Sequence, residues 1–226
     1  MKARVYGEPT ELPDDFREFT ALAGTVAISI DLHHGHLSED PDCPCPAPRA
    51  RQVVEGVDRF HDRARKLGVP IIHVRSTLRP GGVDDIKGIP AAWRMTFPLF
   101  VGDIPNADAH AIAGSRWTEF VTRVEPSDLI VDSKKRLSAF YPTDLDFLLR
   151  NMGARRVVLT GCMADCCVLN TAFDASNLGY RVTVLEDLVR GTDEPLEKAA
   201  LAMISLHLGV VTDSETLLRE WETALE

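Results

Sequence analysis

Hydrophobic positions along this chain fall into two alternating rhythms. Residues 24–31, GTVAISID, form a continuous apolar, β-branched run ended by a charge, which predicts a strand buried on both faces. After a Pro-rich loop, RARQVVEGVDRFHDRARKLG sets Val53, Val57, Phe60, Ala64 and Leu67 at helical spacing, and Gly68 supplies the stop. VPIIHVR (69–75) reads as the second strand. Strand, helix and strand in this order make a right-handed crossover and imply a parallel sheet.

Residues 76–126 break the rhythm. They contain RPGGVDDIKGIPAAWRMTFPLF, rich in Gly, Pro and aromatic residues, and a long excursion of this kind usually serves or covers a site. The rhythm then returns. DLIVDS (128–133) is a strand. TDLDFLLRNMG is a helix with Thr143 as N-cap, an apolar stripe of Leu145, Leu148, Leu149 and Met152, and Gly153 as stop. ARRVVLTG and YRVTVLED are strands on either side of the helix ADCCVLNTAFDASNLG. DEPLEKAALAMISLHLG is a helix with Pro195 in its first turn, where the missing N–H costs nothing. VVT is a short last strand and SETLLREWETALE a final helix. The pattern predicts one three-layer α/β/α, doubly wound domain over residues 1–226, its core at about 24–218, with about six parallel strands.

Composition narrows the function. The net charge of -9 argues against nucleic acid, because phosphate neutralisation needs a basic face and Lys134-Lys135-Arg136 is too short a run to supply one. The start, MKARVYGEPTELPDDF, lacks the apolar core of a signal peptide, and no stretch approaches a membrane span. A cytoplasmic location without membrane attachment is the expectation. Five cysteines, an odd number, speak against a disulfide framework there.

Open parallel sheets bind ligands outside the carboxyl ends of their strands. Asp31 closes the first strand, Lys134 follows the third, and Cys162, Cys166 and Cys167 occupy the turn after the fourth and the opening of its helix. A cysteine in a first helical turn is biased towards thiolate, and a nearby lysine strengthens the bias. An aspartate can take the thiol proton and return it to a leaving group, while unpaired N–H groups of the turn can hold an oxyanion. These residue types converging on one edge point to a thiol hydrolase acting on an acyl carbon. Singly, each has an ordinary structural explanation: a packed thiol, a loop carboxylate, a solvated amine.

AISID, KKRLSAF, GCMADCCV and TAFDASNLGYRVTVLED together resemble the isochorismatase-like cysteine hydrolase superfamily, which includes nicotinamidases, N-carbamoylsarcosine amidases and ureidoacrylate amidohydrolases. The likeness runs from about Thr25 to Leu218. KKRLSAF is similar to the pattern Lys-x-Arg-x-x-Ala-Phe. GCMADCCV is similar to Gly-x-x-Thr-x-x-Cys-Val. The resemblance implies strand order 3-2-1-4-5-6, with Asp31 as general base and acid, Lys134 as electrostatic activator and Cys167, six after Gly161, as nucleophile. It also implies a cis peptide between Cys162 and Met163, with the backbone N–H groups of Met163 and Cys167 as oxyanion donors. Cys166 is then a packing neighbour. The implied activity is hydrolysis of a small amide or ureido C–N bond through a thioester, without a cofactor, by a homo-oligomer such as a dimer or tetramer.

Three departures bear on the substrate. Ala164 stands where the pattern has Thr. His33-His34, within DLHHGHL, replaces the usual Gln-Asn. The Asp-x-His pair and further His that hold a metal in nicotinamidases are missing from VRSTLRPGG. A metal-dependent nicotinamidase-type amidase and a non-catalytic small-molecule-binding domain are the alternatives. His33, His34, His36, Arg75, Trp93 and Phe100 are candidate substrate contacts, and Trp117 reads as core. His33, His36, Cys43 and Cys45 are zinc-compatible residue types at a spacing that fits no familiar zinc module, and the reading adopted is no metal.

Overall fold

The computed structural model describes every residue except Ile86, Pro105 and Glu226. Eight strands form one sheet: β1 (Lys2–Val5), β2 (Glu8–Glu11), β3 (Thr25–Ile30), β4 (Ile71–Ser76), β5 (Leu129–Lys134), β6 (Arg156–Cys162), β7 (Arg181–Arg190) and β8 (Gly209–Thr212), in the order β2-β1-β8-β7-β6-β3-β4-β5. From β3 onward all pairings are parallel. Counted from β3, the order is the expected 3-2-1-4-5-6.

The hairpin β1–β2 raises the expected six strands to eight. It joins β8 antiparallel through Arg4 and Val211. Its strands, KARV and EPTE, carry no apolar run, so hydrophobic patterning does not reveal them. Charged and proline-bearing strands suit a sheet edge, where they discourage further pairing. Tyr6 and Gly7 turn the hairpin with φ of 53° and 81°, the left-handed geometry that a two-residue hairpin turn requires.

The helices are α1 (Arg17–Thr20), α2 (His34–Leu37), α3 (Val54–Lys66), α4 (Ala92–Val101), α5 (Leu145–Asn151), α6 (Leu169–Asn177), α7 (Glu194–His207) and α8 (Ser214–Thr223). Successive strand residues face opposite layers. Ala27, Ile71, Val158 and Leu185 pack with Val57 and Phe60 of α3 and with Leu217 and Trp221 of α8. Their neighbours Ile28, Ile72, Leu159 and Val184 pack with Leu145 and Leu149 of α5, Ala172 of α6 and Ile204 of α7. Each of the larger apolar side chains among these contributes roughly 1.5–3 kcal/mol on burial, so both faces of the sheet are held firmly.

Helix α5 begins one residue later than the pattern predicts. Asp144 is its N-cap residue, and Thr143 Oγ1 accepts from Leu145 N–H at 3.2 Å from just outside. The excursion holds α4 and is tied down by bridges between Leu78 and Ile112 and between His33 and Phe120. Among the described residues no helix is long and apolar enough to cross a membrane.

Candidate active site

Four neighbouring strands, β6, β3, β4 and β5, end at one edge of the sheet, and each brings a polar group there. Asp31 follows β3, Ser76 ends β4 and Lys134 ends β5. After β6 the chain passes through a cis peptide between Cys162 and Met163 into a π-helical turn, Ala164–Val168, that carries Cys167. The Met163 carbonyl accepts from the N–H groups of Cys166 and Val168, which widens that turn.

Lys134 ties the groups together. Its Nζ lies 2.6 Å from Asp31 Oδ2, 2.8 Å from Ser76 Oγ and 3.4 Å from Cys167 Sγ. Asp31 Oδ1 accepts from Ser76 N–H at 3.0 Å and from Ser76 Oγ at 3.2 Å. Asp31, Lys134 and Cys167 are all buried. Asp31 has φ of 55°, a left-handed conformation that aspartate tolerates better than most residues. Its N–H is held by the Val74 carbonyl at 2.9 Å.

The charges follow from this contact set. Burial alone would raise the Asp31 carboxyl, but Lys134 overrides it and holds the group below the ordinary carboxylate range. Burial would likewise strip the Lys134 proton, but Asp31 and Cys167 keep the ammonium charged and its pKa above the usual lysine value. The contact with Cys166 and then burial push the Cys167 thiol up. Cys166 Sγ lies 3.9 Å from Cys167 Sγ, and that contact lowers the Cys166 thiol.

Above Cys167 opens a cavity of about 470 Å³. Of the six expected substrate contacts, His36, Trp93 and Phe100 line it. The other three do not. His33 is fully buried beneath, with Nδ1 2.8 Å from the Trp117 carbonyl. His34 is half-buried and its N–H is bonded to the Glu119 carbonyl at 2.9 Å. Arg75 is engaged elsewhere: Nη1 donates to the Thr118 carbonyl at 2.7 Å and the guanidinium sits 5.0 Å from the Phe120 ring centre. The reason is register. β4 runs one residue beyond the predicted end, so Ser76 takes the site-facing position and Arg75 the opposite face. Trp117 is buried in a short 3₁₀ turn, as expected.

Two participants escaped the sequence reading. Ser76 was hidden by the one-residue error in the strand end. His110, in the excursion, carries no local motif. It joins His33 and His36, and one ring nitrogen of each lies within 4.8 Å of the other two. The zinc-compatible set expected from the sequence thus separates. Cys43 Sγ donates to the Gly35 carbonyl at 3.4 Å, and neither Cys43 nor Cys45 belongs to the histidine group.

Residues 25–216 match the family described as Isochorismatase domain. The chain is 30% identical over 168 residues to ureidoacrylate amidohydrolase RutB of Methylobacterium radiotolerans, an alignment covering 71% of this chain and 64% of that one. It is 26% identical over 165 residues to N-carbamoylsarcosine amidase of Arthrobacter sp., covering 73% of this chain and 58% of the relative. Both alignments span less than two thirds of the relative's own length. Among solved structures, a cysteine hydrolase from Pseudomonas syringae pv. phaseolicola is similar in fold, with TM-score 0.77 and 22% identity over 90% of this chain and 94% of the other.

Proposed function

The chain belongs to the isochorismatase family, and from that premise we propose that it is a cysteine-dependent amidohydrolase cleaving a small amide or ureido C–N bond. The observation that carries this reading is the position of the Lys134 ammonium, in contact with both the Asp31 carboxylate and the Cys167 sulfur.

Asp31 takes the Cys167 proton while Lys134 stabilises the sulfur as it becomes anionic. The thiolate attacks the carbonyl carbon, a C–S bond forms, and the carbonyl π electrons move to oxygen. The backbone N–H groups of Met163 and Cys167 hold that oxyanion. Its collapse breaks the C–N bond as Asp31 returns the proton to nitrogen, and ammonia or an amine departs. Water then attacks the thioester and gives Asp31 a proton. The C–S bond breaks, and the sulfur recovers its proton as the acid leaves. Ser76, bonded to both Asp31 and Lys134, is a positioning residue that sets the carboxylate's angle.

The cavity size suits a small molecule. Trp93 and Phe100 of α4 form an apolar wall, while Lys135 and Arg136 bring positive charge to the same cavity. That pairing favours a substrate with a carboxylate at some distance from its scissile bond. A homo-oligomer, dimer or tetramer, belongs to the same reading, and the outer side of α4 leaves Met95 and Leu99 exposed.

The test is to mix the protein with candidate amides and ureido acids, quench in acid and weigh the intact chain. An acyl or carbamoyl adduct that maps to Cys167 and decays as ammonia appears is expected. Ammonia release with no adduct in the wild type, and undiminished release in Cys167→Ala, would remove the proposal.

A further inference from the structure

The histidine group beside the catalytic edge takes no part in the chemistry above. We propose that His33, His36 and His110 form a three-imidazole site for a divalent transition-metal ion of the zinc class, with an open coordination position facing the cavity. The site is independent of the amide-hydrolase reading, because it rests on ligand geometry alone.

Hydrogen bonding sets two of the tautomers. His33 Nδ1 lies 2.8 Å from the Trp117 carbonyl and His36 Nδ1 lies 2.9 Å from the Cys45 carbonyl. A carbonyl can only accept, so both Nδ1 atoms carry their protons, although Gly35 N–H also lies 3.2 Å from His33 Nδ1. Both Nε2 atoms are therefore unprotonated, and that of His36 accepts from the His110 ring. A ligating histidine commonly has this outer arrangement, its second nitrogen donating to a backbone carbonyl.

These nitrogens converge with that of His110, whose Nε2–H donates to His36 Nε2 in the metal-free form, so ligation moves the His110 proton to Nδ1. His36 Nε2 and His110 Nε2 are 3.2 Å apart. Two ligands about 2.0–2.1 Å from a tetrahedral zinc stand about 3.3 Å apart, so this pair already has the required separation. Among the described residues His33 Nε2 is buried with no hydrogen-bond partner, Asp31 Oδ1 lying 3.8 Å away, and His110 Nδ1 likewise has none. Buried polar atoms of this kind call for an explanation, and an ion held by the three rings supplies one for His33.

The loop holds the donors rigidly. A Cβ on Gly35 would lie 2.9 Å from the His33 ring and 3.0 Å from the Trp117 carbonyl, so only glycine lets the ring sit there. Burial lowers all three rings, His33 to about 3, which favours the neutral imidazole that ligates.

Three nitrogen donors without a thiolate suit zinc, cobalt, nickel or copper and leave the fourth position open. His36 and His110 both line the cavity, and the Trp93 ring centre is 5.0 Å from that of His110. The open position therefore faces the space that holds substrate, where a water or a donor atom of the substrate completes the shell. The ligand set comes from the loop after β3 and from the excursion, and uses neither Cys43 nor Cys45.

The protein is stripped with a chelator, dialysed and titrated with Zn²⁺ and separately with Co²⁺. Metal per chain is counted, and Co²⁺ ligand-field absorption reports coordination. The expected result is one ion per chain in the wild type and in Cys43→Ser, Cys45→Ser and Cys167→Ala, with affinity reduced by about 100-fold or more in His36→Ala and His110→Ala. X-ray absorption of the Zn²⁺-loaded wild type needs no variant to fold. It should show nitrogen donors at about 2.0 Å and no sulfur. Sulfur in that shell, absence of stoichiometric binding, or unchanged affinity in a folded His110→Ala protein would overturn the proposal.

Discussion

Asp31 and Lys134 form a fully buried ion pair at 2.6 Å, reached from the ends of two strands that are separated in the sheet by β4. Their mutual attraction offsets the loss of water around each charge only while both are present. Lys134→Ala is therefore expected to lose about 3–5 kcal/mol of stability, since it strands a buried carboxylate. The double variant Asp31→Asn with Lys134→Met should recover most of that loss in urea unfolding while remaining inactive. Recovery of activity along with stability would show that the pair is structural only.

Gly161 and Ile30 set the distance between the strands that carry Cys167 and Asp31. A Cβ on Gly161 would fall 2.1 Å from the Ile30 carbonyl oxygen, and Gly161 has φ of 112°. Gly161→Ala should cost more than about 2 kcal/mol and reduce turnover, because the strands must part. Gly179→Ala is the control. Its φ is 90° but nothing lies within 4 Å of the added carbon, so about 1 kcal/mol is expected. Equal costs in thermal or urea melts would mean that the close approach is not strained by the methyl group.

His61 gives the fold an acid sensitivity away from the site. Among the described residues neither buried ring nitrogen has a partner, and the ring is held down to about 3 by burial and then by His73 and Arg65, with Asp128 and Asp62 opposing. Between the unfolded value of about 6.5 and that folded value, only the unfolded chain binds the proton. Stability is thus complete above about pH 6.5 and falls as pH drops; two units of descent cost about 3 kcal/mol from this group. His61→Leu should be about 1–2 kcal/mol more stable at neutral pH and flatter below it. The buried rings of His33, His36 and His110 leave a residual slope. A variant with the wild-type slope between pH 6.5 and 4.5 would contradict the assignment.

Arg75 and Arg136 separate a guanidinium outside the cavity from one that lines it. Arg75 is bonded to the Thr118 carbonyl and lies outside the cavity, so Arg75→Met should leave KM within about threefold. Arg136 lines the cavity, as Asp165 does, and donates to the carbonyls of Lys135 and Asp84; among the described residues it forms no ion pair. Arg136→Met should raise KM for carboxylate-bearing substrates by about tenfold, equivalent to roughly 1.4 kcal/mol, and leave neutral amides nearly unchanged. A uniform KM change would remove the charge argument.

The parallel core was legible because each of its strands is an apolar run and most of its helices keep a 3.6-residue stripe. The β1–β2 hairpin was not, since KARV and EPTE carry no apolar run and bury only Ala3 fully. Asp31, Lys134 and Cys167 could be placed at one edge because each follows a readable strand. Ser76 was missed by one residue, and in a strand one residue decides which face a side chain takes, so Arg75 was named in its place. His110 is joined to His36 from 74 positions further along the chain. Only the folded path of the excursion brings the two rings together, and no local pattern in the chain encodes that meeting.

The central claim is that Cys167, rather than its neighbour Cys166, forms the bond to substrate. Ammonia release, measured over small primary amides and ureido acids with Cys166→Ala and Cys167→Ala side by side, tests it most directly. The account predicts that Cys167→Ala falls by at least about 10³-fold, the scale of losing a covalent nucleophile, while Cys166→Ala stays within a few fold of the wild type. Equal losses in the two variants, or turnover surviving in Cys167→Ala, would contradict it.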